Sequence, residues 1–322
     1  MKRSVVLALA LGVLAAICLL TGGCRQSGAA GSPEAARART RQQPQSAAAR
    51  VALGRACLDA KLYNDAFIAY REAANLDQKN FEALHGLGEA SLLLGDAQGA
   101  LTWAARALAL KPDDAGALGL RGRARLATNQ VEQALPELER AANLDPSLID
   151  VRLALLSAYH AAHQDDQALA QAAKLTVQFP SDPRVRFAYG ALLEKRELPA
   201  EAEKQYREAL RLDPNHRVAR FALALVLVHQ HRQFSEARRL AAEVDASGPD
   251  NGTAAGLGAW ALFLSGKQEE GLRELALVYK RHPENMQLVV WIREAALKAG
   301  QTELAEAAGK TLQAAGVRTP PP

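Results

Sequence analysis

The chain has 322 residues, enough by length alone for two domains, and a formal net charge of +4 at pH 7. Lys2 and Arg3 lie in an N-terminal segment without acidic residues, so removal of that segment leaves a net charge of +2. A chain this close to neutral is not a general nucleic-acid binder.

The first 24 residues have the pattern of a secretory signal. A positively charged start is followed by an apolar run from Val5 to Leu20 and by Gly22, Gly23 and Cys24. The end of this segment resembles the bacterial lipobox, and the resemblance implies cleavage before Cys24 and lipidation of Cys24. An uncleaved signal anchor is the alternative, although the run is a little shorter than the ~20 residues that span a membrane.

Residues 25–46 contain almost no large apolar side chain. This composition predicts a disordered tether, and about 22 flexible residues extend over roughly 25 Å. Arg25 follows the cysteine, where the enterobacterial sorting rule places Asp in proteins retained in the inner membrane. The sequence therefore predicts a lipid-anchored protein of the bacterial envelope, on the periplasmic face of the outer membrane.

From residue 47 onward, the sequence repeats every 34 or 35 residues. A small residue stands twelve positions before each of six regularly spaced prolines, and apolar or small residues follow it at offsets that share one helix stripe. Such a period predicts stacked helix–turn–helix repeats. The prolines are Pro112, Pro146, Pro180, Pro214, Pro249 and Pro283, and the small residues are Ala100, Ala134, Ala168, Ala202, Ala237 and Gly271.

Each proline is predicted to lie in the turn between two repeats, because proline cannot continue a helix. A polar residue that follows it suits the free N–H groups of the next helix. The predicted caps are Asp113, Ser147, Ser181, Asn215, Asp250 and Asn285.

This pattern resembles the tetratricopeptide repeat, most closely in residues 183–216, with Tyr189, Gly190, Ala202 and Tyr206. The resemblance implies an all-α, right-handed α-solenoid of about eight helical hairpins over residues 47–316, with 317–322 as a tail. In this family, the first helices line a concave face that binds a protein or peptide segment. The expected repeats are 47–80, 81–114, 115–148, 149–182, 183–216, 217–251, 252–285 and a capping pair at 286–316.

Two repeats depart from the pattern. The third has Arg121 and Arg125 where the family has buried apolar side chains, and burial of an unpaired charge costs several kcal/mol. Pro136 also lies inside its second helix, so this hairpin is expected to be rotated, kinked or softer than its neighbours. The sixth repeat has one extra residue near His231, which is predicted in the turn between its helices.

The family's concave positions predict a face with two halves. The N-terminal half is mixed, with Glu82, His85, Glu89 and Arg123, and the C-terminal half is apolar. An exposed apolar stripe usually binds a partner, and the alternative is that these side chains pack on each other. The predicted groove residues are Leu153, Phe187, Phe221, Leu225, Val228, Trp260, Phe263 and Leu264.

Arg152, Arg186 and Arg220 are spaced 34 residues apart and are predicted to form a ladder. In one interpretation, their stems pack while their charged groups reach water or acidic residues of neighbouring helices. In the other, the ladder is a track for an acidic peptide or an anionic polymer.

Catalytic motifs such as His-Glu-x-x-His, Gly-x-Ser-x-Gly and a phosphate-binding glycine loop are absent from the sequence. Two histidine pairs, at 160 and 163 and at 229 and 231, lack further metal ligands. We expect no catalysis, cofactor or metal, and a scaffold for an envelope machine: type IV pilus secretion, outer-membrane assembly or polysaccharide export. The alternative is a glycan-binding or enzyme-regulating adaptor that uses Trp260 and the arginine ladder.

Overall fold

A computed structural model describes residues 31–246 and 251–317. These residues form 17 α-helices and no β-strand, which confirms the prediction of an all-α helical-repeat fold. The chain divides into two compact units between Ala168 and Leu169, here called the N-terminal and the C-terminal unit. Cys24, the apolar run before it, Pro249, Asp250 and residues 318–322 lie outside the described residues.

The N-terminal unit contains α1 to α8, and α9 crosses the division. These helices are α1 (Pro33–Gln42), α2 (Ala47–Asp59), α3 (Tyr63–Leu76), α4 (Phe81–Leu93), α5 (Ala97–Leu110), α6 (Ala115–Ala127), α7 (Val131–Leu144), α8 (Ile149–Ala161) and α9 (Asp165–Gln178). The C-terminal unit contains α10 (Pro183–Lys195), α11 (Pro199–Leu212), α12 (Arg217–His229), α13 (Phe234–Ala246), α14 (Thr253–Leu264), α15 (Gln268–Arg281), α16 (Met286–Lys298) and α17 (Thr302–Ala314).

From α2 onward, the helices alternate as first and second helices of repeats. First helices begin at residues 47, 81, 115, 149, 183, 217 and 286, where the predicted repeats begin, and α14 begins one residue late, at 253. A three-residue turn, such as 60–62, joins the two helices of a repeat. The proline period therefore locates the helices because proline and the small residues act locally on the backbone.

Packing within each unit follows one rule. Helices adjacent in the chain contact each other, and each first helix also contacts the first helix of the next repeat, as in α2–α4 and α12–α14. Second helices of successive repeats make no such contact among the described residues. The first helices therefore form a continuous layer in each unit, and its surface is here called the first-helix face.

Small residues at the start of the second helices allow the helices to approach closely. Ala66, Ala100, Ala134, Ala202 and Ala237 are fully buried. At Gly271, a Cβ atom would lie 2.5 Å from the backbone nitrogen of Phe263, so α14 and α15 approach more closely than alanine permits. Burial of the neighbouring large side chains then stabilises each hairpin by roughly 1.5–3 kcal/mol per side chain.

The extra residue of the sixth repeat lies in the turn between α12 and α13, as predicted. This turn comprises residues 230–233, one more than the other turns. It has two left-handed residues, His231 and Gln233, both with φ of 53°, whereas Asn129 is the single one in the third repeat. The added residue is thus accommodated without interruption of either helix.

The predicted caps are wrong by one residue in most repeats. Only Asn285 accepts a backbone N–H as predicted, from Gln287 at 3.0 Å. Asp114 accepts the N–H of Ala117 at 2.9 Å, and Asp182 and His216 cap their helices in the same way. The turn after each proline extends one residue further than expected, so the residue next to the proline lies outside the capping position.

The predicted disordered tether is wrong over Pro33–Gln42, which forms α1. Ser32 caps this helix by accepting the N–H of Ala35 at 3.2 Å, and proline follows at the favoured first position. Ala36 is buried, and Arg37 Nη2 lies 2.5 Å from Asp65 Oδ2 of α3. Pro44 stands 68 residues, two periods, before Pro112, so α1 occupies the place of a second helix. The position of Pro44 in the 34-residue period therefore predicts α1 from the sequence.

Arg121 and Arg125 of the third repeat are paired with a carboxylate, so the expected cost of an unpaired charge at these two positions is wrong. Arg125 Nη1 lies 2.9 Å from Glu137 Oε1 on α7, and Arg121 contacts the same carboxylate. Arg125 also donates to the carbonyl oxygen of Gln133 at 3.2 Å. Helix α7 continues through Pro136, which is exposed. Glu137 on the second helix therefore compensates the charges of both arginines on the first helix.

Candidate functional site on the first-helix face

Most of the predicted groove residues are core residues. Leu153, Phe187, Val228, Trp260 and Phe263 have exposed fractions between 1% and 6%. The expectation that they form an open apolar surface is therefore wrong. Phe221, Leu225 and Leu264 are half-buried.

Ring contacts account for part of this burial in the C-terminal unit. The Phe187 ring lies 5.6 Å from the ring of Tyr206 on the second helix of its repeat and 5.4 Å from the ring of His216, which caps α12. Trp260 stacks on Phe263 at 5.3 Å with the rings 9° from parallel. These residues therefore follow the alternative interpretation, in which the side chains pack on each other.

One accessible apolar stripe remains on α12. Val218 is 36% exposed, and Phe221 and Leu225 follow at offsets of 3 and 4, which place all three on one side of the helix. We call these three residues the α12 stripe. Val218 was missed from the sequence, although it is the second residue of its repeat and lies on the same side of α12 as Phe221 and Leu225. The stripe offers adjacent apolar contacts of the kind that hold a partner's side chain.

The four residues predicted for the N-terminal half of the concave face lie on first helices and are accessible to water. Glu82 is exposed, and His85, Glu89 and Arg123 are half-buried. Lys111 Nζ lies 3.5 Å from Glu82 Oε1 and 4.0 Å from the centre of the Phe81 ring. The charges on this face are thus partly paired with each other.

The arginine ladder is engaged in internal hydrogen bonds. Arg152 Nε donates to the carbonyl oxygen of Pro146 at 2.7 Å, and Arg220 donates to that of Pro214. Arg186 donates to Gln205 Oε1 at 3.3 Å. Arg50, missed from the sequence, makes the same contact with Pro44 at 3.1 Å. These contacts tie first helices to the preceding turn, which supports the packing interpretation over the anionic track.

The repeat geometry agrees with comparisons to known proteins. A family model for the tetratricopeptide repeat matches residues 153–217 and 191–251. Over these residues, the chain is similar to the tetratricopeptide-repeat family. The TPR repeat-containing protein PA4667 of Pseudomonas aeruginosa is 26% identical over 162 residues, which cover 50% of this chain and 27% of the relative. The chain thus spans about a quarter of the length of that curated relative.

Solved structures of tetratricopeptide-repeat proteins have a similar fold. A thermophilic TPR protein of Thermus thermophilus has a TM-score of 0.52 and 23% identity, covering 57% of this chain and 100% of the other. A tetratricopeptide repeat protein of Parabacteroides merdae has a TM-score of 0.59 and 16% identity, covering 71% and 91%. At these identities, the likeness concerns the fold alone.

Several titratable side chains make internal hydrogen bonds. Tyr206 donates to Glu194 Oε2 at 2.8 Å, and burial raises the pKa of both groups. His160 Nδ1 lies 2.7 Å from Asp165 Oδ1. Across residues 31–246 and 251–317, no group of three or more His, Cys, Asp or Glu could hold a metal ion. Within the same ranges, no helix has the length and apolar character needed to cross a bilayer.

His216 gives a testable pH dependence. Its Nδ1 accepts the N–H of Ala219 at 3.2 Å, and burial lowers its pKa, with Asp213 and Asp182 opposing the shift. The unfolded chain therefore binds this proton more readily, so stability is lost as pH falls through the unfolded pKa near 6.5. We expect His216→Asn, which keeps a cap acceptor, to lose less stability between pH 7 and pH 5 than the wild type in urea unfolding. Equal losses in both proteins would contradict this role.

Proposed function

We propose that the protein is a non-catalytic scaffold that binds a protein or peptide segment through the α12 stripe. Tetratricopeptide repeats serve as protein-interaction scaffolds, which supports the general function. The α12 stripe supports the specific surface, because accessible apolar side chains adjoin on one first helix. Large apolar side chains in such a surface supply most of the binding energy of an interface.

The α12 stripe can be tested by loss of binding. We expect Phe221→Ala with Leu225→Ala to weaken binding at least ~30-fold, because interface anchors contribute about 2 kcal/mol or more. Crosslinking in envelope fractions would identify the partner, and titration with the purified partner would measure the affinity. Leu76→Ala with Leu110→Ala is the control, because both leucines are exposed on second helices of the N-terminal unit. Equal affinity of both double variants would exclude the stripe as the binding surface.

We further propose that the scaffold is lipid-anchored at Cys24 on the periplasmic side of the outer membrane. The apolar run that ends in Gly22, Gly23 and Cys24, and the presence of Arg25 instead of Asp, support this location. In that location, the scaffold would assist an envelope machine: type IV pilus secretion, outer-membrane protein assembly or polysaccharide export. We expect no nucleic-acid partner for the near-neutral chain.

Lipidation can be tested by palmitate labelling in cells. The wild type should incorporate the label, and Cys24→Ser should lose it and enter the soluble periplasm. Cys57→Ala should keep the label, because Cys57 is buried in the first repeat. An unlabelled wild type with an intact N-terminus would contradict lipid attachment.

The glycan-binding adaptor is less well supported than the peptide scaffold. Its aromatic platform was Trp260, which is 6% exposed and stacked on Phe263. Its contacts with a glycan were to come also from the ladder arginines, of which Arg152 and Arg220 donate to backbone carbonyl groups.

A further inference from the structure

The nearly neutral net charge is the sum of a basic N-terminal region and a weakly acidic remainder of the chain. Residues 24–58 contain one glutamate and six arginines, a net charge of +5. Lys2 and Arg3 contribute +2 to the total of +4, so residues 59–322 have a net charge of −3. Such asymmetry along a chain indicates an anionic partner for its basic end. The six arginines are Arg25, Arg37, Arg39, Arg41, Arg50 and Arg55.

The structure separates the arginines that hold this region together from those that face outward. Arg37 pairs with Asp65, and Arg50 pairs with Glu72. Arg39, Arg41 and Arg55 are exposed and have no ion pair among residues 31–246 and 251–317. Two of these three lie on α1, which the sequence had assigned to a flexible tether.

Helix α1 is a terminal cap of the repeat stack. Arg39 stands 34 residues before Ala73, and one period further comes Ala107; both alanines are fully buried. Arg39 is exposed, so this position of α1 is not covered by another helix as it is in the repeats that follow. Its outer surface is polar, as terminal repeats require.

The folding of α1 also shortens the connection to Cys24. Only seven residues separate Cys24 from Ser32, the cap of α1. A chain of this length spans at most about 28 Å when fully extended. Its root-mean-square end-to-end distance is about 16 Å when it is flexible. A lipid at Cys24 would therefore hold α1 close to the headgroups of its own membrane, where the surface charge is felt within a Debye length of ~8 Å.

We propose that α1, here called the basic end, binds anionic phospholipid headgroups of the membrane that holds the lipid anchor. This inference rests on the proposed lipidation of Cys24. Guanidinium groups suit phosphate because they can donate two parallel hydrogen bonds. Each arginine near an anionic surface strengthens binding about fivefold, so Arg39 and Arg41 together contribute about 30-fold. The membrane then fixes the orientation of the first repeat as well as its location.

The test uses the full chain purified from membranes and reconstituted in vesicles. Ala38→Cys places a thiol on the exposed side of α1, and a fluorescent dye attached there reports contact with lipids that carry a headgroup quencher. Cys57 is buried, so an acylated Cys24 leaves one reactive thiol per chain. Two dyes per chain would show that lipidation fails, independently of the quenching result.

We expect strong quenching in vesicles with 30% phosphatidylglycerol, weak quenching in pure phosphatidylcholine, and release at 0.5 M NaCl. Arg39→Gln with Arg41→Gln should lower the ratio of bound to free α1 about 30-fold. Arg273→Gln with Lys280→Gln removes the same charge from the exposed surface of α15 and should have no effect. Equal quenching in both lipids, or no effect of the Arg39 and Arg41 changes, would overturn the proposal. Displacement by a short RNA that outcompetes the anionic vesicles would assign the basic end to nucleic acid and would also overturn it.

Discussion

Phe187→Ala should lower the free energy of unfolding of the C-terminal unit by about 3–5 kcal/mol. The Phe187 ring is 1% exposed and contacts Tyr206 and His216, so truncation leaves a cavity that its neighbours cannot fill without moving. The effect combines the lost transfer free energy of the ring with the lost contacts around the cavity. It is therefore close to the upper end of the range for single core substitutions.

Phe221→Ala is a matched control for this prediction. Phe221 occupies the same position one repeat later, 34 residues from Phe187, and is half-buried. We expect it to cost less than Phe187→Ala, because the Phe221 ring is only partly buried and loses less buried apolar area on truncation. Denaturant unfolding of both variants, monitored by amide exchange in α10 and α12, compares them directly. Equal costs would show that the two rings share one environment and would remove the basis for the α12 stripe.

The two phenylalanines show what a repeat sequence can and cannot predict. Proline spacing and small residues act on the local backbone, so the period locates most first helices to the residue. The period gives Phe187 and Phe221 the same position and therefore the same expected exposure. Their difference arises from neighbours such as His216, the cap of α12, whose ring stacks on Phe187. Contacts of this kind vary from repeat to repeat and cannot be derived from the shared pattern.

The prediction of a disordered tether in the N-terminal region was wrong for a different reason. Low hydrophobicity and two prolines favoured a disordered tether over residues 25–46, and composition alone could not show that Arg37 has a partner in Asp65. The phase of Pro44 relative to Pro112 was in the sequence and predicts the second-helix position of α1. Periodicity was therefore a better guide than composition, because the stacked neighbour stabilises a helix that is only ten residues long.

The second large effect is expected in the third repeat, where Glu137 joins two arginines. Glu137→Gln should lower the stability of the N-terminal unit by about 2 kcal/mol, because Arg121 and Arg125 would keep their charges and lose the carboxylate. Loss of one partner of a fully buried pair costs more, about 3–5 kcal/mol. The smaller figure applies because the side chains of Arg121 and Arg125 are 27% and 23% exposed and are partly solvated.

Replacement of the whole network separates the cost of an unpaired charge from the value of the pair. Leucine at residues 121 and 125 returns the first helix to the apolar pattern of the family, and leucine at residue 137 removes the carboxylate on the second helix. In the wild type, Glu137 Oε2 has no hydrogen-bond partner within the described residues. We expect Arg121→Leu with Arg125→Leu and Glu137→Leu to be at least as stable as the wild type, because apolar packing often equals a buried ion network. Urea unfolding of the single and triple variants measures both effects. A triple variant as unstable as Glu137→Gln would mean that the ion network itself stabilises the repeat, and that its removal cannot be compensated by apolar contacts.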